Sequence, residues 1–242
     1  MLAEALRPEL ADQVAAAADS LAHGEPVLIF DAADREGETD LVFLSERATP
    51  ELVRLARVDA GGLICTAVSD PIRRRLGLPF YAELLSTSEA SYPILAALRR
   101  QRLRYDQRSS FGVTVNHRTN FTGVPDNDRA VTIRSIGELA RVAPELDDAG
   151  LRARFVDEFT SPGHVPLLYA APGLLRERKG HTELAVSLAS MGGLSESVTV
   201  CEMLGDSGGA RSPEAARRYA DQHGWLFLEG RSITEAWIAW SG

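Results

Sequence analysis

Apolar positions along the chain follow two spacings, one helical and one extended. Residues 9–22 (ELADQVAAAADSLA) place Ala, Val and Leu at helical spacing, and Gly24 just beyond is a good helix stop. Val27-Leu28-Ile29-Phe30 is an unbroken apolar run between Pro26 and Asp31, which predicts a buried strand. Residues 40–45 (DLVFLS) predict a second strand. Thr49-Pro50-Glu51 supplies an N-cap, a proline at the first helical position and an early acid, so a helix opens there and stops near Gly61-Gly62. Leu63 to Val68 predicts another buried strand.

The pattern thins between 70 and 109, where it predicts a short helix around Ile72 to Leu76, a loop, and an Arg-rich helical piece near 93–102. Phe111 to Val115 alternates apolar with Gly or Thr and predicts a strand. Ala130, Val131, Ile133, Ile136, Leu139 and Ala140 share helical spacing over 128–141, and a second helix is expected over 147–158. A strand at Val165 to Tyr169, a helix over 182–191 and a strand at Val198 to Met203 follow. Ser212-Pro213-Glu214 opens a helix closed by Gly224, and Trp225 to Leu228 forms a last strand before a short C-terminal helix.

Strands and helices alternate irregularly, and no Gly-rich dinucleotide turn follows the first strand. An α/β or α+β domain is implied, with a mixed sheet covered by helices. The reading adopted is α+β: a single domain over 1–242 with a mixed β-sheet covered by helices in a layered α/β/α arrangement. No internal repeat, Pro/Gly/Ser linker or long charge block divides the chain.

Composition narrows the class. The chain has 242 residues, 45% hydrophobic and 25% charged, which excludes collagenous, low-complexity and wholly disordered chains. A diffuse net charge of -8 argues against general nucleic-acid binding, which needs clustered Lys and Arg, yet leaves room for a local anion site. No stretch is apolar for long enough to span a bilayer, so no membrane is expected. The start, Met-Leu-Ala-Glu, lacks the basic opening of a signal peptide, and two cysteines make no disulfide framework. A cytoplasmic protein is expected. Among 26 basic residues only Lys179 is a lysine.

Chemistry concentrates in five places. Asp31 to Asp40 holds five carboxylates and Arg35 directly after a buried strand. Such a cluster suits a hard cation such as Mg²⁺, and the alternation of Glu36, Glu38 and Asp40 would point all three one way on an extended backbone; a solvated acidic turn is the plainer reading. Arg176 to Thr182 brings basic residues and a glycine to a helix N-terminus, a natural phosphate site, unless Thr182 is a simple N-cap. Ser161-Pro162-Gly163 reads as a turn that aims His164, a residue suited to proton transfer. Glu202 lies in an apolar strand, where a carboxylate has a functional role or a structural ion pair. Asn116 to Gly123 with Asp126 to Arg129 is a polar loop that suits a polyhydroxylated ligand or serves as turn chemistry.

Together these segments resemble the 3,4-dihydroxy-2-butanone 4-phosphate synthases, in their single-function form. The resemblance rests on Asp34-Arg35-Glu36-Gly37-Glu38-Thr39-Asp40-Leu41, Asp59 to Thr66, Asn116-His117-Arg118, Phe121-Thr122-Gly123, Asp126 to Ala130, Ser161 to Val165, Gly180-His181-Thr182-Glu183 and Cys201-Glu202-Met203, all in the family's order. The Glu-Thr-Asp, Asn-His-Arg and Asp-Asn-Asp-Arg forms look most like the archaeal branch. It implies a lyase of riboflavin biosynthesis that converts D-ribulose 5-phosphate to formate and L-3,4-dihydroxy-2-butanone 4-phosphate with Mg²⁺ or Mn²⁺, as a homodimer of α+β subunits with sites near the subunit interface. It further implies metal ligation by Glu36 and His181, with Glu38 assisting a second metal. Substrate binding falls to Arg35, Glu36, Asp40, Arg178, Lys179, Gly180, His181, Thr182 and Glu202, with Arg178 and Thr182 facing the phosphate. His164, Glu202, Asp40 and Cys65 match catalytic or near-site positions. No fused cyclohydrolase domain is expected.

The competing readings are another metal-dependent pentose-phosphate isomerase or aldolase, neither of which releases formate, and a noncatalytic phosphosugar-binding protein, which would be expected to have lost part of this set.

Overall fold

The computed structural model describes residues 8–98, 106 and 109–242. Its frame is one mixed sheet of seven strands: β1 (Val27–Phe30), β2 (Thr39–Leu44), β3 (Cys65–Val68), β4 (Phe111–His117), β5 (Phe159–Tyr169), β6 (Ser197–Glu202) and β7 (Phe227–Glu229). The spatial order is β4-β5-β3-β6-β2-β1-β7. Two neighbouring pairs, β3 with β5 and β1 with β7, are parallel; the remaining pairings are antiparallel.

Successive strand side chains point to opposite faces, and here both faces are buried, so the central strands are mostly apolar, with Asp40, Thr66 and Thr199 among the buried polar exceptions. Val27 and Ile29 face one core with Val42, Leu44, Val198 and Val200. Three helices cover that side: α1 (Pro8–His23), α8 (His181–Met191) and α10 (Gly230–Trp240). Leu28, Phe30, Leu41 and Phe43 face the other side and meet α2 (Pro50–Leu55), α6 (Asp126–Val142) and α9 (Pro213–His223). A third cluster extends this side toward β5 with α3 (Asp70–Leu76) and α7 (Asp148–Glu158). The layered α+β arrangement expected from the pattern is therefore observed. Among the described residues no helix is long and apolar enough to cross a membrane.

Local signals acted as read at Thr49, whose Oγ1 accepts from Leu52 N, and at Ser212, which caps α9. Three differences matter. The region expected to be a loop contains α4 (Tyr81–Thr87), a helix exposed at every residue but Leu85, so it carries no apolar face to reveal it. The Arg-rich piece is seen only as α5 (Ile94–Leu98); most of the remainder lies outside the described residues. Ser161-Pro162-Gly163 is not a turn: β5 begins at Phe159 and runs through it. A Cβ on Gly163 would lie 1.9 Å from the Val115 carbonyl carbon, so this glycine serves close approach of β4 and β5, whose register shifts there.

Close approach also fixes α6 to the chain after β2. A Cβ on Gly137 would meet the Glu46 backbone nitrogen at 2.1 Å. Gly137→Ala should therefore destabilise the fold by about 1–3 kcal/mol, read as a lower midpoint in thermal unfolding. Gly209→Ala, which meets nothing within 4 Å, should leave the midpoint unchanged.

Candidate active site

The acidic segment is organised by one of its own members. Asp31 sits at the end of β1, 5% exposed, and its carboxylate accepts from Glu36 N and Glu38 N, each at 3.1 Å. Arg35 Nη1 donates to the same group at 3.1 Å. These bonds close residues 32–38 into a turn, helped by Gly37 at φ 70°, before β2 starts at Thr39. Glu36, Glu38 and Asp40 consequently do not share one extended face. Glu36 projects from the turn and Asp40 from the strand, and both reach His181. Glu38 reaches His181 with its carbonyl, and its carboxylate does not line the cleft described below.

His181 is the first residue of α8 and is buried. Its Nδ1 lies 3.6 Å from Glu36 Oε2, and its Nε2 lies 3.6 Å from Asp40 Oδ1 and 3.1 Å from the Glu38 carbonyl. A carbonyl can only accept, so Nε2–H donates to it and Nδ1 is left facing Glu36. Burial opposes charge on His181, but Asp40, Glu36 and Asp31 outweigh it and lift its pKa to about 9. Burial raises Asp40 to about 7, with Glu202, Glu36 and Glu38 adding and His181 opposing. Glu36 goes the other way: burial pushes it up, yet the His181 hydrogen bond and the Arg35 charge bring it to about 2.

The donor set fits a divalent cation. Asp31, Glu36 and His181 each offer an atom within 4.8 Å of the others. Asp31 already spends both oxygens on the turn, so we assign it to structure. Glu36 and His181 remain, and the buried Asp40 Oδ1 has no hydrogen-bond partner among the described residues. An imidazole whose far N–H is held by a carbonyl keeps its other nitrogen aimed and free to bind a metal.

Across the N-terminus of α8 stands a cationic pair. Arg178 Nη1 donates to Glu183 Oε2, and Glu183 Oε1 accepts from Ala171 N at 2.8 Å. Arg35 Nη1 lies 2.8 Å from Glu36 Oε1. The outer edges of both guanidiniums converge on Asp106. A Cβ on Gly180 would sit 2.3 Å from Arg178 Nη1 and 2.7 Å from Arg35 Nη2, which explains a glycine there.

β2 and β6 supply the floor. Their register sets Asp40 opposite Glu202, and Glu202 Oε2 accepts from Leu63 N at 2.8 Å. A Cβ on Gly62 would lie 2.4 Å from that oxygen, so the Gly61-Gly62 pair gives Glu202 its place. Cys65 on β3 borders the same floor, and burial, with Glu202 and Asp40 adding, pushes its thiol far above the ordinary range. Glu36, Asp40, Cys65, Asp106, Arg178, His181, Thr182 and Glu202 thus line one cleft of about 150 Å³.

Besides the Glu38 carboxylate, two expected residues lie away from the cleft. His164 is exposed on the β4–β5 arm, hydrogen-bonded to Asn116, four residues along β5 from Leu168 at the cleft wall, or roughly 13 Å. Lys179 is exposed and borders a neighbouring pocket with Asp34, Arg231 and Glu235 rather than the cleft. Conversely, Asp106 and Glu183 are central to the arginine pair though no sequence signal singled out their roles.

Comparison with known proteins gives one answer. The family described as 3,4-dihydroxy-2-butanone 4-phosphate synthase matches residues 15–236. The chain is 46% identical over 229 residues to the 3,4-dihydroxy-2-butanone 4-phosphate synthase of Methanosarcina mazei, covering 93% of this chain and 91% of that one. It is 42% identical over 231 residues to that of Methanothermobacter thermautotrophicus, covering 95% and 98%. A solved 3,4-dihydroxy-2-butanone 4-phosphate synthase in complex with two magnesium ions shares the fold at a TM-score of 0.70 and 22% identity, covering 92% of this chain and 94% of that one.

The electrostatics set a pH dependence for the metal-free protein. His181, at about 9 when folded against 6.5 ordinarily, gives a stabilising increment that is complete below pH 6.5 and lost as pH rises through 9. Asp40, at about 7 against 3.8, also lowers stability as pH climbs between those values. The thermal midpoint of metal-free protein should fall from pH 5 to pH 9, and His181→Asn should flatten the part above pH 6.5. A midpoint that rises over that range would contradict the assignment.

Proposed function

The chain belongs to the 3,4-dihydroxy-2-butanone 4-phosphate synthase family, enzymes that make a riboflavin precursor from ribulose 5-phosphate; from that premise we propose how its own residues carry the reaction. The observation that supports the reading is the convergence of Glu36, Asp40, His181 and Glu202 with Arg178 in one cleft. We assign Glu36 and His181 to the metal, Mg²⁺ or Mn²⁺, with Glu38 beside a second ion. Bound there, such a cation would hold vicinal hydroxyl oxygens and polarise the adjacent carbonyl.

The substrate's phosphate is assigned to Arg178, Thr182 and the free N–H groups of α8, with Gly180 leaving room. Arg35, beside Arg178, and Asp40 complete the substrate contacts, and Lys179 lends long-range attraction from outside the cleft. Anchoring the phosphate supplies binding energy remote from the reacting carbons. Loss of the C3 proton gives an enediol, and departure of the C1 hydroxyl requires an acid. The skeleton then rearranges and C4 leaves as formate. Asp40, whose pKa of about 7 suits both acceptance and donation of a proton, shares these transfers with Glu202 and His164. Cys65 borders the floor as a neutral thiol.

His164 reaches a cleft only if the arm of one subunit crosses to another. Phe121, 98% exposed beside that arm, and Val124 and Leu63, both exposed, are apolar residues that a partner would cover. We therefore assign a homodimer with sites near the interface, working in the cytoplasm as one catalytic domain.

Incubation with ribulose 5-phosphate should release formate, and EDTA should stop it. Glu36→Ala and His181→Ala should each abolish formate release while the circular dichroism spectrum is kept; full activity in either would sink the metal assignment. His164→Ala and Glu36→Ala subunits, each inactive alone, should regain activity when mixed and allowed to exchange, because one site of the mixed dimer is then intact. Mixed dimers that form yet stay inactive would refute the shared site.

A further inference from the structure

Two arginines from distant parts of the chain meet on a single carboxylate oxygen. Asp106 Oδ2 accepts from Arg35 Nη2 at 2.6 Å, and from Arg178 Nε at 2.9 Å with Nη2 at 2.7 Å. All three side chains are largely withdrawn from water. The oxygen therefore sits where the two guanidiniums point, over the N-terminus of α8 and inside the cleft.

Each guanidinium also has a carboxylate behind it. Arg178 is held by Glu183, which is itself tied to Ala171 N. Arg35 is held by Asp31 and Glu36. The arginines are thus aimed without help from Asp106. What Asp106 adds is a negative oxygen at their common focus, the place where an oxygen of a bound anion would make the same charge-assisted hydrogen bonds.

We propose that Asp106 is a specificity-determining residue, a carboxylate that occupies the Arg35–Arg178 pair until a phosphate dianion displaces it. This rests on the assignment of Arg178 to the phosphate made above. An entering ligand must replace hydrogen bonds to two buried cations and must also overcome repulsion from the acid it displaces. A doubly charged phosphate ester brings enough charge and enough oxygens to do so. A singly charged anion or an unphosphorylated sugar does not, so the arginine pair stays closed to them.

Calorimetric titration of the full-length protein with inorganic phosphate tests this. Asp106→Asn removes the competing charge and should lower the phosphate Kd several-fold, and nitrate, inert toward the unaltered protein, should become a competitive inhibitor of formate release. Asp106→Ala should tighten phosphate in the same direction, which shows that the new amide is not the cause. Phosphate binding that is unchanged or weaker in folded Asp106→Asn and Asp106→Ala overturns the proposal. Arg178→Ala separates the two levels. If phosphate binding survives it, the phosphate assignment of Arg178 fails; if it abolishes binding while Asp106→Asn gives no tightening, the role of Asp106 alone fails.

Discussion

A carboxylate shut away from water must be fully satisfied, and Asp31 meets that demand by folding the chain around itself. Two backbone N–H groups and one guanidinium take up its oxygens, and the turn that results decides where Arg35 and Glu36 point. Had the segment stayed extended, the acids of 36, 38 and 40 would have stood in a row, with no reason to gather around an imidazole. With the turn in place, Glu36 and Asp40 approach His181 from two sides. The opposing shifts of these groups, Glu36 down and His181 up, follow from that enclosure rather than from any one pair.

The sheet supplies the second half of the geometry. Antiparallel pairing of β2 with β6 puts Asp40 and Glu202 at one rung of the ladder, and β3 adds Cys65 alongside Val200. α8 enters the same place end-on, so its first turn closes the cleft while its length is packed under the sheet. Cations, acids and the helix terminus thus come from separate stretches of chain whose positions are fixed by hydrophobic packing on both faces.

Much of this was legible in the sequence, for reasons that differ by residue. Glu36, His181 and Glu202 carried local signals: an acidic run after an apolar strand, a glycine before a helix, and a charge inside an apolar strand. The doubly buried sheet showed itself as apolar runs such as Val27 to Phe30. Asp106 was hidden because its meaning lies in a contact with Arg35, 71 residues away, and its own neighbourhood has no periodicity. Glu183 looked like an ordinary first-turn acid, since nothing local reveals that it is wholly buried against Arg178. The Pro162-Gly163 pair misled because the same residues that make turns also permit strands to press together, and only the partner strand decides between the two.

Residues 181–189 of α8 are all buried, against the sheet on one side and α1 and α10 on the others. A helix so enclosed has little freedom to fray, and its hydrogen-bonded amides beyond the first turn should exchange with solvent only through large-scale opening of the domain. His181, Thr182 and Glu183 therefore ride on a helix packed on several sides, while His164 rides exposed on an arm at the sheet's rim. Hydrogen exchange would therefore time the two regions differently, the buried helix by opening of the domain and the exposed rim by local motion.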